Sequence, residues 1–315
     1  MVSQSVTDRP RLVVILGPTG VGKSRLALDL AEEWGGEIIS ADSMQVYKYM
    51  DIGTDKPTPE DRKRVRHHLI DLVLPDQPFH AGLYRALGRR VIEQLSGRGK
   101  ACFVVGGTGL YIKTLTCGLF HSPPIAAGVR ERLKREGEEK GSDFLYHRLT
   151  EVDPSTAARL HSHDLFRIVR ALEVFESTGA PISFFREQHR FGDTPYALLK
   201  MGLETNREEL YRRIEERVDR MMERGFLEEV ERLMEMGYGP QLKPMQSLGY
   251  KQLIQVLLKK MERGEAIRQI KRDTRRYAKR QWTWFKADPD VHWCDESLDR
   301  KRVFQAVSSF LKGGG

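Results

Sequence analysis

Two textures divide the chain. Leu12 to Leu16 is an unbroken apolar run between Pro10 and Gly17, the pattern of a parallel strand buried on both faces. Similar runs at Glu37 to Ala41, His68 to Val73 and Ala101 to Val105 predict three more strands. Helical patterns fill the gaps over Ser24 to Trp34 and Phe79 to Leu95. Strand and helix in alternation predict a parallel α/β sheet. From about Pro123 strand-like runs become scarce, and charged helical segments such as Val129 to Lys140 and Asp164 to Ser177 replace them. Gly179-Ala180-Pro181 closes one of these helices, and Ala197 to Leu203 reads as a strand returning to the sheet. Amphipathic helices are expected at Arg207 to Arg224, Leu227 to Met236 and Glu262 to Arg280. The predicted organisation is therefore a core of residues 1–122, a helical insertion of residues 123–195, and a second part of the core over residues 196–315.

Composition adds limits to this picture. At 315 residues, with 40% hydrophobic and 30% charged positions, the chain can bury a substantial core. Its cysteines, Cys102, Cys117 and Cys294, are odd in number and far apart, which fits neither a disulfide framework nor a CxxC zinc site. The N-terminal segment has no apolar stretch of signal or membrane length, so a cytoplasmic protein is expected. Lys+Arg exceed Asp+Glu by 52 to 44, a net charge of +8, which suggests a polyanionic partner only if the excess is concentrated.

Gly17-Pro18-Thr19-Gly20-Val21-Gly22-Lys23-Ser24 matches the phosphate-loop pattern G-x-x-x-x-G-K-[ST]. It sits directly after a buried strand and opens a helix, the context that gives the pattern meaning. The glycines let successive backbone N–H groups form an anion nest, Lys23 reaches the outer phosphate, and Ser24 is placed to ligate Mg²⁺. An ATP-dependent kinase or ATPase is the default owner of such a loop, and a second carboxylate at a strand end should accompany it. Asp42 and Asp71 are the candidates. Asp42 stands at the carboxyl edge, where open α/β sheets bind ligands, and can serve as a general base, a metal partner or simply a helix cap. Gly106-Gly107-Thr108-Gly109 is either a tight turn or a second anion contact. His67 and His68 with Asp71, and His161 and His163 with Asp164, lack zinc spacing with a matching second half.

The charge excess is concentrated near the C-terminus. Seven of the thirteen residues from 268 to 280 are basic, and on a helix Arg268, Arg272, Arg275, Arg276 and Lys279 draw one stripe. With only Asp273 interleaved, such a face repels itself unless a phosphate backbone meets it. Trp282 and Trp284 follow directly, as suits RNA with an unstacked base. A non-catalytic RNA-binding protein is a further reading beside the kinase.

Together these segments resemble the bacterial tRNA dimethylallyltransferases, also called isopentenyl-tRNA transferases. The resemblance runs almost end to end: GPTGVGKS at 17 to 24, SADSMQVYKYMDIGTDKP at 40 to 57, HHLID at 67 to 71, VVGGTGLYIK at 104 to 113, DLFRIVRALEV at 164 to 174, LYRRIEERVDRMM at 210 to 222, LGYKQL at 248 to 253 and KRDTRRYAKRQWTWFK at 271 to 286. It implies a phosphate-loop α/β core and a Mg²⁺-dependent transfer of a dimethylallyl group from dimethylallyl diphosphate to the N6 amine of adenosine 37 in tRNA. The phosphate loop is then redirected from ATP to an isoprenoid diphosphate. By the same resemblance Asp42 is the general base, Asp42, Ser43, Met44 and Gln45 contact the target adenine, Thr108 is the hydroxyl near the scissile phosphate oxygen, and Arg217 helps Lys23 hold the diphosphate. Contacts to tRNA are implied for Arg130, for Phe166, Arg167, Ile168, Val169 and Arg170, and for Lys279, Arg280, Gln281, Trp282, Thr283, Trp284, Phe285 and Lys286. Arg275 and Arg276 join them through the basic stripe. The insertion would grip the anticodon stem-loop, and the enzyme is expected to work as a monomer. Two departures in the phosphate loop, Gly20-Val21 for the commoner Ala-Ser and Ser24 for Thr, preserve the chemistry, and Ser247-Leu248 for Ala-Ile changes little. The zinc finger of eukaryotic relatives has no counterpart in the cysteines of this chain.

Overall fold

The computed structural model describes residues 9–118, 126, 128–189, 195–295 and 299–313. Its backbone divides into two compact units, residues 1–116 with 194–315, and residues 117–193. The first boundary expected from sequence, at 122/123, falls outside the described residues.

The larger unit opens with β1 (Arg11–Leu16), α1 (Lys23–Glu33), β2 (Glu37–Ser40), α2 (Pro59–Arg64), β3 (His67–His68), α3 (Ala81–Gly97), β4 (Cys102–Gly106) and α4 (Gly109–Cys117). All strands of its sheet are parallel, in the order β3-β2-β4-β1 and then, from the C-terminal part, β5 (Ala197–Glu204) and β6 (Val291–Asp295). Period-two alternation sends side chains to opposite faces. Leu12, Val14, Leu16, Ile39 and Val104 enter one core with Tyr84 of α3, while Val13, Ile15, Ile38, Phe103 and Val105 enter another with Leu26 and Leu30 of α1. Both faces are covered, which is why these strands read as continuous apolar runs rather than alternating ones. Full burial of each such aliphatic side chain contributes about 1.5–3 kcal/mol.

One predicted strand is much shorter than expected. The apolar run from His68 to Val73 keeps only His67 and His68 in the sheet. Leu69 (φ 61°) and Asp71 (φ 56°) turn left-handed, and the Asp71 carboxylate is taken by Lys56 at 2.6 Å and Arg62 at 2.8 Å. The amides of Asp71 and Leu72 then bond to the carbonyls of Gln45 and Val46. The run is apolar because Leu69 is buried, not because it is a strand.

The smaller unit is helical: α5 (Val129–Lys140), α6 (Ser142–Val152), α7 (Pro154–Ala157), α8 (Leu165–Thr178) and α9 (Ile182–His189). Its own core gathers Leu133, Leu145, Leu149, Ile168 and Leu172. The larger unit resumes after β5 with α10 (Arg207–Glu223), capped by the Asn206 side chain on Glu209 N, then α11 (Phe226–Glu235), α12 (Tyr250–Leu257), α13 (Arg263–Lys286) and, after β6, α14 (Arg300–Lys312). Helix α13 runs six residues beyond its expected end at Arg280, so the aromatic cluster lies on the same helix as the basic residues. No described helix is long and apolar enough to cross a membrane.

Candidate active site

The phosphate loop turns over the carboxyl end of β1. Gly17 has φ 142°, and a Cβ there would lie 2.6 Å from the Leu203 carbonyl oxygen of β5; only glycine lets the loop pass so close to the neighbouring strand. Three polar groups of the loop are engaged within the protein. Lys23 Nζ donates to Pro18 O at 2.7 Å, Thr19 N donates to Gln281 Oε1 at 2.9 Å, and Arg217 of α10 donates to Thr19 Oγ1. Burial, followed by the nearby Arg217 guanidinium, pulls the Lys23 ammonium down to about 7 against a smaller opposing pull from Asp42. Ser24 is exposed in the first turn of α1.

Asp42 follows β2. Its Oδ1 accepts from Met44 N at 2.8 Å and Gln45 N at 3.3 Å, an Asx turn that fixes the carboxylate. Oδ2 has no hydrogen-bond partner among the described residues. Ser43 N donates to Thr108 Oγ1 at 3.0 Å, and Thr108 N donates to Ala41 O at 3.1 Å. The turn after β4 is thus tied to the turn after β2. The Gln45 amide is engaged internally: Oε1 accepts from Ser40 Oγ, and Nε2 donates to Thr54 O and Asp55 O.

These loops line one cavity of about 1100 Å³. Thr19, Lys23, Ser24, Asp42 to Gln45 and Gly107 form one side. Arg213, Arg217 and Arg220 of α10, Arg224 beyond it, and Arg272, Arg276, Tyr277 and Arg280 of α13 form the other. Burial, and then the charge of Asp42, push the Tyr277 hydroxyl up to about 12, so it stays a neutral donor at physiological pH. Thr108 stands just behind the wall, next to Gly107. Asp71, the other carboxylate proposed for a kinase-type metal site, is absent from the lining and neutralised by Lys56 and Arg62. Among the described residues no group of three His, Cys, Asp or Glu could hold a metal. What the chain offers a cation beside the loop is the Ser24 hydroxyl, which suits Mg²⁺ held mainly by substrate oxygens and water.

Several expected RNA contacts need correction. Ile168 and Val169 are 0% and 3% exposed and pack in the core of the smaller unit. On their helix Phe166 is 73% exposed, and Arg167 is exposed with Asp164 at 3.3 Å. Arg130 and Arg170 both grip the buried Glu173 carboxylate, at 2.8 and 2.7 Å. On α13, Gln281 and Phe285 are buried, while Lys279, Arg280, Trp282, Thr283 and Trp284 are exposed. Lys286 bonds to Glu204 at 2.8 Å and sits over the Trp282 and Trp293 rings.

The single basic stripe divides as well. Arg272, Arg276 and Arg280 line the cavity, whereas Arg275 turns to Glu215 and Tyr211 of α10. The expected self-repulsion is relieved within the protein, because Glu265 pairs with Arg268, Asp219 with Lys271, and Asp273 with Arg272 and Arg276. Sequence reasoning missed Glu229, a carboxylate 2% exposed. It accepts from the amides of Asp51, Ile52 and Gly53 and from the Tyr250 hydroxyl. This holds the loop whose Asp55 pairs with Arg217 at 3.2 Å. Its signal was a glutamate on the apolar stripe Phe226, Glu229, Val230, Leu233 of α11.

A parallel sheet with a phosphate loop at the end of β1 and an arginine-lined cavity beside it defines a phosphate-loop α/β protein. The chain belongs to the IPP transferase family, whose model matches residues 45–288. That match begins beyond the phosphate loop and is independent of it. A tRNA dimethylallyltransferase of Desulfosudis oleivorans is 51% identical over 306 residues, covering 97% of this chain and 98% of the relative. One from Syntrophobacter fumaroxidans is 55% identical over 284 residues, covering 90% and 83%. Among solved structures, the tRNA isopentenylpyrophosphate transferase of Bacillus halodurans has 35% identity and a TM-score of 0.73, covering 97% of this chain and 98% of its own. A eukaryotic dimethylallyltransferase acting on tRNA has 29% identity and a TM-score of 0.84, covering 97% and 80%.

Proposed function

We propose that this enzyme transfers a dimethylallyl group from dimethylallyl diphosphate to the exocyclic N6 amine of adenosine 37 in tRNA, releasing diphosphate. The observation that carries the reading is one cavity lined at once by an anion loop with Lys23, by Arg217, by the Asp42 carboxylate and by α13 arginines. The amine nitrogen supplies the electron pair of the new C–N bond. The allylic C–O bond breaks and its pair leaves with the diphosphate, and the amine proton passes to Asp42 Oδ2. Lys23, Arg217 and the loop amides stabilise the negative charge that develops on the departing oxygen. The Thr108 hydroxyl, held behind the wall, is in reach of the same region. Ser24, together with substrate oxygens, would hold Mg²⁺, which would supply further neutralisation of the leaving group. A diphosphate substrate uses the loop without an adenine pocket, and with Asp71 neutralised by Lys56 and Arg62 the one candidate carboxylate left beside the loop is Asp42, which the transfer uses as its base. A tRNA substrate goes with a cytoplasmic setting and with the insertion as the part that grips the anticodon stem-loop through Phe166 and Arg167.

Incubation of the protein with Mg²⁺, radiolabelled dimethylallyl diphosphate and an unmodified tRNA carrying adenosines at positions 36 to 38 should label the RNA. No transfer to any such tRNA, with ATP hydrolysed or transferred instead, would sink the reading.

A further inference from the structure

We propose that Gln281 is a positioning residue for this transfer, fixing the register between the phosphate loop and the loop that carries Thr108. The inference rests on the proposed function and adds a role that a buried side chain on an RNA-facing helix does not announce. Gln281 is 7% exposed. Its Oε1 accepts from Thr19 N at 2.9 Å and its Nε2 donates to Gly107 O at 2.9 Å. A carboxamide presents an acceptor and a donor on one rigid plane, so one side chain satisfies an amide of one loop and a carbonyl of the other at once. The fit has no slack. A Cβ on Gly107 would lie 2.1 Å from the Gln281 Nε2. One on Gly109 would lie 2.1 Å from Trp284 Nε1. The close approach of α13 accounts for the glycines at 107 and 109.

The consequence is a continuous line of hydrogen bonds and covalent neighbours across the site. It runs from Thr19, beside the diphosphate, through Gln281 to Gly107 and Thr108, and from the Thr108 hydroxyl to Ser43, next to Asp42. Displacement at the allylic carbon requires the leaving oxygen and the attacking amine on opposite sides of it. A misplacement of about 1 Å between the groups that hold them costs on the order of 10²-fold in rate. Gln281 borders the same cavity, but both ends of its carboxamide are committed to the two loops, so it sets that spacing through them. Its helix neighbours Arg276 and Arg280 face the cavity, so the strut is part of the element that meets RNA.

The test is Gln281→Met in the full-length protein, a side chain of similar length with neither donor nor acceptor. We expect kcat for transfer to fall roughly 10- to 100-fold, with the Kd for an anticodon stem-loop, read by fluorescence anisotropy, staying within about twofold. Gly107→Ala, which pushes on the same contact from the other side, should give the same split, and it carries the test if the methionine variant does not fold. Wild-type turnover in Gln281→Met overturns the role. So does a loss of RNA affinity as large as the loss of rate, since that makes Gln281 an RNA contact. If the wild-type protein transfers no prenyl group, the proposed function fails and this role with it; a wild-type enzyme that transfers beside an unaffected variant overturns the role alone.

Discussion

The turns after β1 and β2 meet the same cavity in opposite states. In the phosphate loop three polar groups are already engaged: Lys23 Nζ on Pro18 O, Thr19 N on Gln281, and the Thr19 hydroxyl with Arg217. In the Asp42 turn one carboxylate oxygen closes the turn and the other is free of partners among the described residues. On the proposed reaction the anion site exchanges protein contacts for substrate contacts, whereas the proposed base, Asp42, is held in its turn before any substrate arrives. Preorganisation lowers the reorganisation needed during reaction, so the proposal assigns the chemical step to the second turn, and the adjustable, pH-sensitive step of binding to the first.

The sharpest way to break this contrast is Asp42→Asn. An amide keeps the acceptor that caps Met44 and Gln45 and removes the base. We expect kcat to fall by ~10²-fold or more. Binding of a non-transferable thio analogue of dimethylallyl diphosphate should be retained or tightened, because a negative charge leaves the vicinity of Lys23. Calorimetric titration of the analogue alongside single-turnover rates reads both quantities. A variant that loses analogue binding as heavily as rate would merge the two turns into one function.

Lys23 provides the complementary test. With its pKa in the free protein held near about 7, the side chain is largely neutral at pH 8.5. Bound diphosphate favours the ammonium and raises that pKa, so binding draws in a proton. The sign follows: affinity is greatest below pH 7 for this group and falls as pH rises through and above it, by about tenfold per pH unit while the complex stays protonated. Titrations at pH 8.5 in buffers of different ionisation heat should report close to one proton taken up per analogue bound, and Lys23→Met should abolish the uptake. Equal heats in all buffers would show a Lys23 that is charged throughout.

The same distinction between local and distant partners decides what the sequence could show. The phosphate loop and Asp42 are written in short contiguous stretches, and both are found at strand ends above one cavity. Residues 166 to 170 and 279 to 286 are contiguous too, but they lie on helices, where 3.6-residue periodicity turns Ile168, Val169, Gln281 and Phe285 inward. A matched segment marks a helix, and burial then sorts its residues. The run at His68 to Val73 was apolar for burial beneath a turn that Lys56 creates through Asp71. Glu229 and the loop-bridging contacts of Gln281 escaped because they reach partners 176 and 262 residues away along the chain. No periodicity records a partner at that distance. The basic stripe was visible, yet Glu215 and Asp219 of α10, which neutralise part of it, were not legible as its neighbours.

That last point gives the smallest predicted effect and extends the contrast between engaged and open groups to α13. Arg280 lines the cavity, stacks near Tyr277 at 5.7 Å and has no ion-pair partner among the described residues. Arg276 shares Asp273 at 3.6 Å, and Arg275 is held by Glu215 away from the cavity. Each arginine that meets an RNA phosphate releases counterions and adds about 0.7–0.9 to the slope of log affinity against log salt. Arg280→Ala should therefore lower the slope for stem-loop binding by about 1 and weaken affinity a few-fold. Arg276→Ala should do less, since binding must first detach the side chain from Asp273. Arg275→Ala should leave the slope unchanged. A salt series of anisotropy titrations on the three variants ranks them, and an Arg275→Ala slope as low as that of Arg280→Ala would mean that α10 releases its partner when RNA binds, making the engaged side of the helix as open as the other.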